Sequence, residues 1–484
     1  MKSIVAESWF LPHFPVIKMD KETTKTRIVF DAAAKSEGSS LNDVIHSGPK
    51  LQRDLFDVLL RFRKNQVAII CDIAEMYLQI EVKKEDRKYL RFLWRDLEVS
   101  QPAKCFEFTR LVFGLNSSPF QAQLVSRKNA EDHQAQYPRA AETVLKSTYM
   151  DDSMDSVKND QEGIKLYQEL MALWGKAGMH ARKWLSNSEK VLQNIKQENR
   201  SNMIDLSNDE IPSVKTLGIL WIAKDDVFSF SSKQPGENIK FTKRIFLSKI
   251  ATLFDPLGFL CPFIIRAKVL MQEIWTSGTD WDEPSEMHIQ DQASKWFTEL
   301  SHLSHIKIPR CLREISDEVE VGKNLHVFVD ASEKAYAAVV YQRNVYQNGN
   351  ISMAFVASKS KVAPLKAVSI PRLELMGATL GLSLAVSIGQ AIDVRVSDMK
   401  FWSDSMNVLY WIKKPSRSFK PFVANRVGEL HEKTNPNQWR YINTFQNPAD
   451  IGTRGTTLNK LGKNGNWWNG PEFLSMSEVE WPEP

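Results

Sequence analysis

Tyr149-Met150-Asp151-Asp152 sets two adjacent carboxylates between strand-forming neighbours, Thr148 before them and Ser153-Met154 after. The stretch reads as a hairpin with both acids at its tip. Neighbouring carboxylates raise each other's pKa, so a fold that keeps both at a strand end needs a cation beside them. Asp72 closes the apolar run Val67-Ala68-Ile69-Ile70-Cys71, a buried-strand pattern, and offers a third acid. Beside that pair, a third carboxylate from another strand end supplies the oxygen ligands that Mg²⁺ takes. Two such ions activate an attacking 3′-hydroxyl and stabilise a leaving pyrophosphate. A bare Asp-Asp pair is more often a solvated turn, so its weight comes from its surroundings.

The 484 residues imply about two to four domains. With 43% hydrophobic and 25% charged residues the chain is ordinary globular material, which excludes disordered, collagen-like and coiled-coil classes. A net charge of +5 is compatible with nucleic acid without arguing for it. Cys71, Cys105, Cys261 and Cys311 lie far apart, so neither a disulfide framework nor a zinc knuckle is expected, and a reducing compartment is. Glu7 breaks the N-terminus too early for a signal peptide. Met376 to Ile392 is interrupted by Thr379, Ser383, Ser387 and Gln390, which predicts a buried helix rather than a membrane span. A soluble, intracellular protein without a membrane partner is expected.

Helices are predicted after Asn116-Ser117-Ser118-Pro119 and over Gln161–Ala177, and a strand at Leu217–Trp221. A second α/β unit opens at Leu325-His326-Val327-Phe328-Val329, followed by a small-residue helix near Leu373 and a strand-helix pair over Lys400–Trp411. His302 and His305 read as a surface pair rather than metal ligands, since no third ligand lies near. Most of the 14 tryptophans read as core or interface anchors.

Tyr149–Asp152 with Asp72 on an earlier strand resembles the palm of reverse transcriptases. The resemblance implies that Asp72, Asp151 and Asp152 are catalytic and hold Mg²⁺ (or Mn²⁺). It implies that Tyr77, five positions after Asp72, lies under the sugar and excludes a ribose 2′-hydroxyl. Phe113-Gly114, within Phe113–Phe120, resembles the loop-to-helix segment that supports the nascent base pair, where a glycine permits close backbone approach. Arg27 matches the fingers arginine that clamps the incoming triphosphate with its planar fork. Lys183 matches a lysine able to protonate the leaving pyrophosphate, and Leu217-Gly218 resembles a primer-grip turn. Lys18 is a further triphosphate candidate.

Asp330 ends the Val327–Val329 strand, Glu374 follows Pro371 and is expected in a helix's first turn, Asp404 closes another strand, and Asp450 lies in Asn447-Pro448-Ala449-Asp450. This order resembles the ribonuclease H fold, in which four carboxylates hold two Mg²⁺ against an RNA–DNA hybrid. Tyr441 stands where many members of that family carry a histidine.

Polymerase followed by ribonuclease H resembles the BEL/Pao class of long-terminal-repeat retrotransposon polyproteins. Phe30-Asp31-Ala32-Ala33, Phe254–Leu260, Ser369–Leu375, Asn447–Asp450 and Trp467–Pro471 carry that wording. The fold class implied is multidomain α/β: a right-hand polymerase, then a mixed sheet with helices. Fingers and palm are expected over 1–230, thumb and connection over 231–322, ribonuclease H over 323–455 and a C-terminal tail over 456–484. The partners implied are RNA template, DNA primer, hybrid, deoxynucleoside triphosphates and other polyprotein products, in the cytoplasm, a virus-like particle or the nucleus. Met1 opens within the fingers, so a piece of a longer reading frame is expected. Asp255 alone cannot form the paired-Asp site of an aspartic peptidase, so that activity is not expected. The rival reading is an inactive or domesticated fragment that only binds nucleic acid.

Overall fold

The computed structural model describes residues 8–17, 26–96, 100–201, 213–216, 219–230, 240–313 and 318–483, without the side chains of Arg27 and of 213–216. Lys18 and Leu217-Gly218 lie outside the described residues. The chain forms two compact units. One comprises Met1–Asp54, Ile69–Asp155 and Asp160–Asn202; the other Leu55–Ala68, Ser156–Asn159 and Met203–Pro484.

In the first unit, β1 (His13–Ile17) and β2 (Thr26–Phe30) form a hairpin. β3 (Val67–Ile73) is the apolar run expected, and β4 (Arg91–Trp94) pairs with β5 (Lys104–Glu107). Helix α1 (Ser118–Asp132) starts with Pro119 in its first turn, where the missing N–H costs nothing. α2 (Pro138–Lys146) leads into β6 (Thr148–Tyr149), β7 (Asp152–Val157), α3 (Asp160–Lys176) and β8 (Ala181–Ser186). The sheet order is β6-β7-β3-β8. Leu166, Leu170, Leu173 and Trp174 recur at helical spacing on α3 and are its buried face.

In the second unit, β9 (Ser213–Thr216), β10 (Ile219–Ile222) and β11 (Val227–Ser229) form a sheet with β12 (Ile308–Pro309), in the order β12-β11-β10-β9. Helices α4 (Lys243–Ile250), α5 (Cys261–Thr276) and α6 (Met287–Thr298) lie between β11 and β12 in sequence. A five-stranded sheet follows, ordered β15-β14-β13-β16-β17: β13 (Glu320–Ala331), β14 (Ala335–Tyr346), β15 (Ile351–Val362), β16 (Met399–Ser403) and β17 (Trp439–Tyr441). β13, β14 and β15 are antiparallel, whereas β16 and β17 continue the sheet in parallel. α7 (Ile370–Ile392) packs on β13 and β14, with Gly381 pressed against Val327 and Val329. α7 is long and apolar enough to cross a membrane, and its buried contacts with the sheet account for that composition. α8 (Met406–Ile412), α9 (Pro421–Lys433) and α10 (Ala449–Arg454) follow, and the short helices Leu458–Gly462 and Gly465–Asn469 come after them.

The two units cut across the four consecutive segments expected from sequence. Leu55–Arg63, a helix whose residues Val58 to Arg63 are buried, packs against α7. The fully buried Arg63 guanidinium donates to the carbonyls of Arg310 (3.0 Å), Val356 (2.6 Å) and Phe355 (2.7 Å), which fixes that helix in the second unit. Residues 456–483 are a cover rather than a tail. Side chains alternate across a strand, so His326 and Phe328 face away from α7. On that side Trp481 meets the His326 ring at 5.1 Å and the Trp402 ring at 5.6 Å, with Phe473 also buried there. Phe254–Leu260 joins the edge of the same sheet: Ser358 N donates to Leu257 O at 2.8 Å, and a Cβ at Gly258 would strike the Ser358 carbonyl. Asp255 is half-buried, its carboxylate accepting the N–H groups of Phe259 (3.0 Å) and Leu260 (2.7 Å).

Candidate active sites

Asp72 sits one residue before the end of β3, and the hairpin of β6 and β7 turns through Met150 and Asp151 beside it. Met150 holds the left-handed backbone region at φ +57°, uncommon without glycine. Two hydrogen bonds brace the tip: Gln123 Nε2 donates to Met150 O at 3.1 Å, and Ile73 N donates to Asp151 O at 2.9 Å. Burial pushes the Asp152 carboxyl up to about 7, and the charges of Asp151 and Asp72 add to it while Lys183 opposes. The three acids therefore share one electrostatic environment.

Lys183 is placed by an irregularity. Ile70 pairs with Leu185 but Asp72 with Arg182, so Lys183 and Trp184 stand opposite the single Cys71. Such a bulge re-aims a side chain. Lys183, at φ +54°, delivers its ammonium 2.8 Å from Asp72 Oδ2, and Arg182 Nε lies 3.7 Å from the same oxygen.

Tyr77 follows the left-handed Glu75 (φ +48°) in a short 3₁₀ turn, and its ring centroid lies 4.8 Å from that of Phe113. Burial and the nearby Asp151 raise its hydroxyl pKa, which sets the ring beside the acids. Gly114 is required sterically, because a Cβ there would collide with the Phe30 carbonyl oxygen. These groups border one cavity of about 1220 Å³, with Asp72, Asp151, Tyr77, Phe113, Arg182 and Lys183 in its lining. Arg27 lies on β2 opposite Val16, and its side chain is outside the described residues.

The second cluster gathers at one end of the five-stranded sheet. Val329 pairs with Ser403 in the parallel β13/β16 register, so Asp330 and Asp404 are the next residues on neighbouring strands. Gly377 brings α7 close enough that a Cβ would lie 3.0 Å from Asp330 O, and Glu374 is one turn earlier on that helix. Glu374 is in the second turn, not the first as expected, because the helix already starts at Ile370 with Pro371 in its opening turn. Asp450 occupies the first turn of α10. Burial pushes the Asp330 carboxyl up to about 7; Thr453's hydrogen bond opposes this, and Asp404 and Asp450 reinforce it. Burial also raises Glu374, against a Ser405 hydrogen bond and with Asp404 adding to it. Asp330 and Glu374 thus both sense the charge of Asp404, and Asp330 also that of Asp450.

Among the described residues no three His, Cys, Asp or Glu side chains are already drawn together as a ready ligand set. The donor chemistry nevertheless fits a hard divalent cation. Each cluster offers carboxylate oxygens only, and each contains an acid whose proton affinity is raised by burial first and by its acidic neighbours in addition, both of which a cation offsets.

The sequence reading missed Gln123, Thr453 and Asn447. Thr453 Oγ1 is 2.7 Å from Asp330 Oδ2, and Asn447 Nδ2 donates to Val329 O at 3.0 Å. The linear signal for Thr453 and Asn447 is closeness to Asp450, and Gln123 has none. Ser405 caps α8 as expected, accepting from Val408 N at 3.3 Å, and also donates to Glu374. Lys243 and Arg244, basic residues near the expected thumb, are engaged within the unit: Lys243 donates to Thr279 O at 2.7 Å, and Arg244 pairs with Asp282 at 2.7 and 2.9 Å.

Residues 21–184 match the family model for reverse transcriptase (RNA-dependent DNA polymerase), and residues 242–405 match the Pao retrotransposon-like RNaseH-like domain. A foamy viral protease-reverse transcriptase (dRH) in complex with double-stranded DNA is similar in fold, with a TM-score of 0.55 at 16% identity, covering 90% of this chain and 65% of that one. Another structure of the foamy viral protease-reverse transcriptase with double-stranded DNA gives 0.52 at 16% identity, covering 90% and 78%. None of the curated proteins compared matches the sequence.

Proposed function

From a chain that carries a reverse transcriptase domain followed by an RNaseH-like domain of the Pao retrotransposon class, we propose an RNA-directed DNA polymerase that also cleaves the RNA of RNA–DNA hybrids. The observation that carries this reading is the presence of two separate carboxylate clusters, Asp72/Asp151/Asp152 and Asp330/Glu374/Asp404/Asp450, each with an acid pushed up to about 7. The partners proposed are nucleic acid template, primer and hybrid, together with deoxynucleoside triphosphates; the double-stranded DNA held by the foamy viral relatives supports the nucleic acid among them.

At the first site Asp72, Asp151 and Asp152 would hold Mg²⁺, which supplies charge neutralisation at the attacking and leaving oxygens. The chain's own groups do the rest. Gln123 and Ile73 fix the tip that carries Asp151, so the acid is positioned before substrate arrives. The Tyr77 ring, backed by Phe113, fills the space a ribose 2′-hydroxyl would need. Arg27 would grip triphosphate oxygens, and Lys183 would move from Asp72 to give its proton to the leaving pyrophosphate.

At the second site Asp330, Glu374, Asp404 and Asp450 would hold the ions, with Ser405 and Thr453 orienting two of the carboxylates. Primer extension with Mg²⁺ and cleavage of a labelled hybrid test the proposal. Asp152→Asn is expected to abolish extension and Asp404→Asn to abolish cleavage. Extension unchanged in Asp151→Asn/Asp152→Asn would refute the polymerase, and salt-sensitive hybrid binding without turnover would favour a binding protein instead.

A further inference from the structure

We infer that Thr453 is a positioning residue of the nuclease site, locking the acid of β13 to the helix that carries the fourth acid; this rests on the ribonuclease H reading above. The Thr453 side chain is buried, with Oγ1 2.7 Å from Asp330 Oδ2 and 2.9 Å from the carbonyl oxygen of Asp450. A hydroxyl has one proton and both neighbours are acceptors here, so ionised Asp330 takes it as the stronger, charge-assisted bond.

The same two segments are joined elsewhere by bonds that leave the Asp330 carboxylate alone. Asn447 Nδ2 donates to Val329 O at 3.0 Å, and Ser332 Oγ lies 3.3 Å from Thr453 O. Those contacts hold α10 on the end of β13 whether or not residue 453 has a hydroxyl. What the hydroxyl adds is orientation: it fixes one oxygen of Asp330 from the helix on which Asp450 stands. Asp450's own ion pair, Arg454 Nε at 2.7 Å, lies within α10 and cannot relate Asp450 to β13. Residue 453 also falls outside the stretch that matches the RNaseH-like family model, 242–405, so the site's geometry depends on a segment beyond that match.

The test compares Thr453→Val, Thr453→Ala, Thr453→Ser and Asp330→Asn in the full chain. Hybrid cleavage is read against Mg²⁺ concentration, Mn²⁺ affinity by calorimetry, and primer extension on the same preparations as a check on folding. Removing the hydroxyl is expected to lower cation affinity, and with it cleavage at limiting Mg²⁺, on the order of 10- to 100-fold, as loss of a second-layer partner of a metal ligand does. Val and Ala are expected to fall alike, Ser to recover most of the loss, and primer extension to stay unchanged throughout. Wild-type cleavage, Mg²⁺ dependence and Mn²⁺ affinity in Thr453→Ala would overturn the inference, as would Ser failing like Val. Survival of cleavage in Asp330→Asn would instead sink the ribonuclease H reading itself, whatever Thr453 does.

Discussion

On the proposed polymerase reading, Tyr77 is the side chain that would set substrate choice. Its ring lies 4.8 Å from that of Phe113 and stands in a turn that follows the left-handed Glu75, contacts that would resist its retreat from a bulkier sugar. Tyr77→Val removes that bulk while leaving the acids in place. Discrimination against ribonucleotides is expected to fall on the order of 100-fold, with deoxynucleotide incorporation changing far less, read from kcat/KM for matched pairs of triphosphates. His326 makes a different point about single residues. It is fully buried, and its Nδ1 accepts the Trp402 indole N–H at 3.1 Å, so burial holds the ring neutral with a pKa down to about 3. The unfolded chain binds a proton there near pH 6.5, the folded chain only near 3. Stability from this group is therefore complete above about pH 6.5 and lost as pH falls towards 3. His326→Leu should melt lower than wild type at pH 7.5, by about 1–2 kcal/mol for the lost hydrogen bond. At pH 5 that gap should narrow or reverse; an equal gap at both values would contradict the argument.

Elements explain why the acids were legible and their supports were not. Asp72, Asp330 and Asp404 each close a short apolar run, and an apolar run ending in an acid is a local signal that needs no knowledge of partners. The pairing of Val329 with Ser403, which puts Asp330 beside Asp404, joins residues far apart in sequence and leaves no trace in either strand alone. The same holds for the bulge that turns Lys183 towards Asp72, since a register slip is a property of two strands. Residues 456–484 read as a tail because Trp467, Phe473 and Trp481 are too sparse to show a period, yet each fills a place on the sheet. α7 was visible as an apolar helix, but the purpose of its small residues was not. Gly381 lets the helix axis approach Val327 and Val329 so closely that added atoms have nowhere to go. Gly381→Val gains little in helix propensity over glycine and overpacks the contact, at a cost of about 1–3 kcal/mol. A lower thermal midpoint with reduced hybrid cleavage is expected, and a variant as stable as wild type would mean that the contact yields.

At the scale of the molecule, the members of each proposed carboxylate cluster fall within one compact unit. Asp72, Asp151, Asp152, Tyr77 and Lys183 belong to the first, and Asp330, Glu374, Asp404, Asp450 and Thr453 to the second. No acid is shared, so neither constellation needs a side chain from the other unit to assemble. Substitutions without shared partners act additively. Asp152→Asn should therefore stop primer extension while leaving the initial rate of hybrid cleavage within about twofold, and Asp404→Asn should do the reverse. The double variant should lose both activities and keep salt-sensitive affinity for nucleic acid, because phosphate contacts come from cations that neither substitution removes. The comparison needs preformed hybrid, so that cleavage does not wait on synthesis. If Asp152→Asn slowed cleavage of such a hybrid tenfold or more, the two sites would have to be coupled through bound nucleic acid, and the independence argued from their composition would fail.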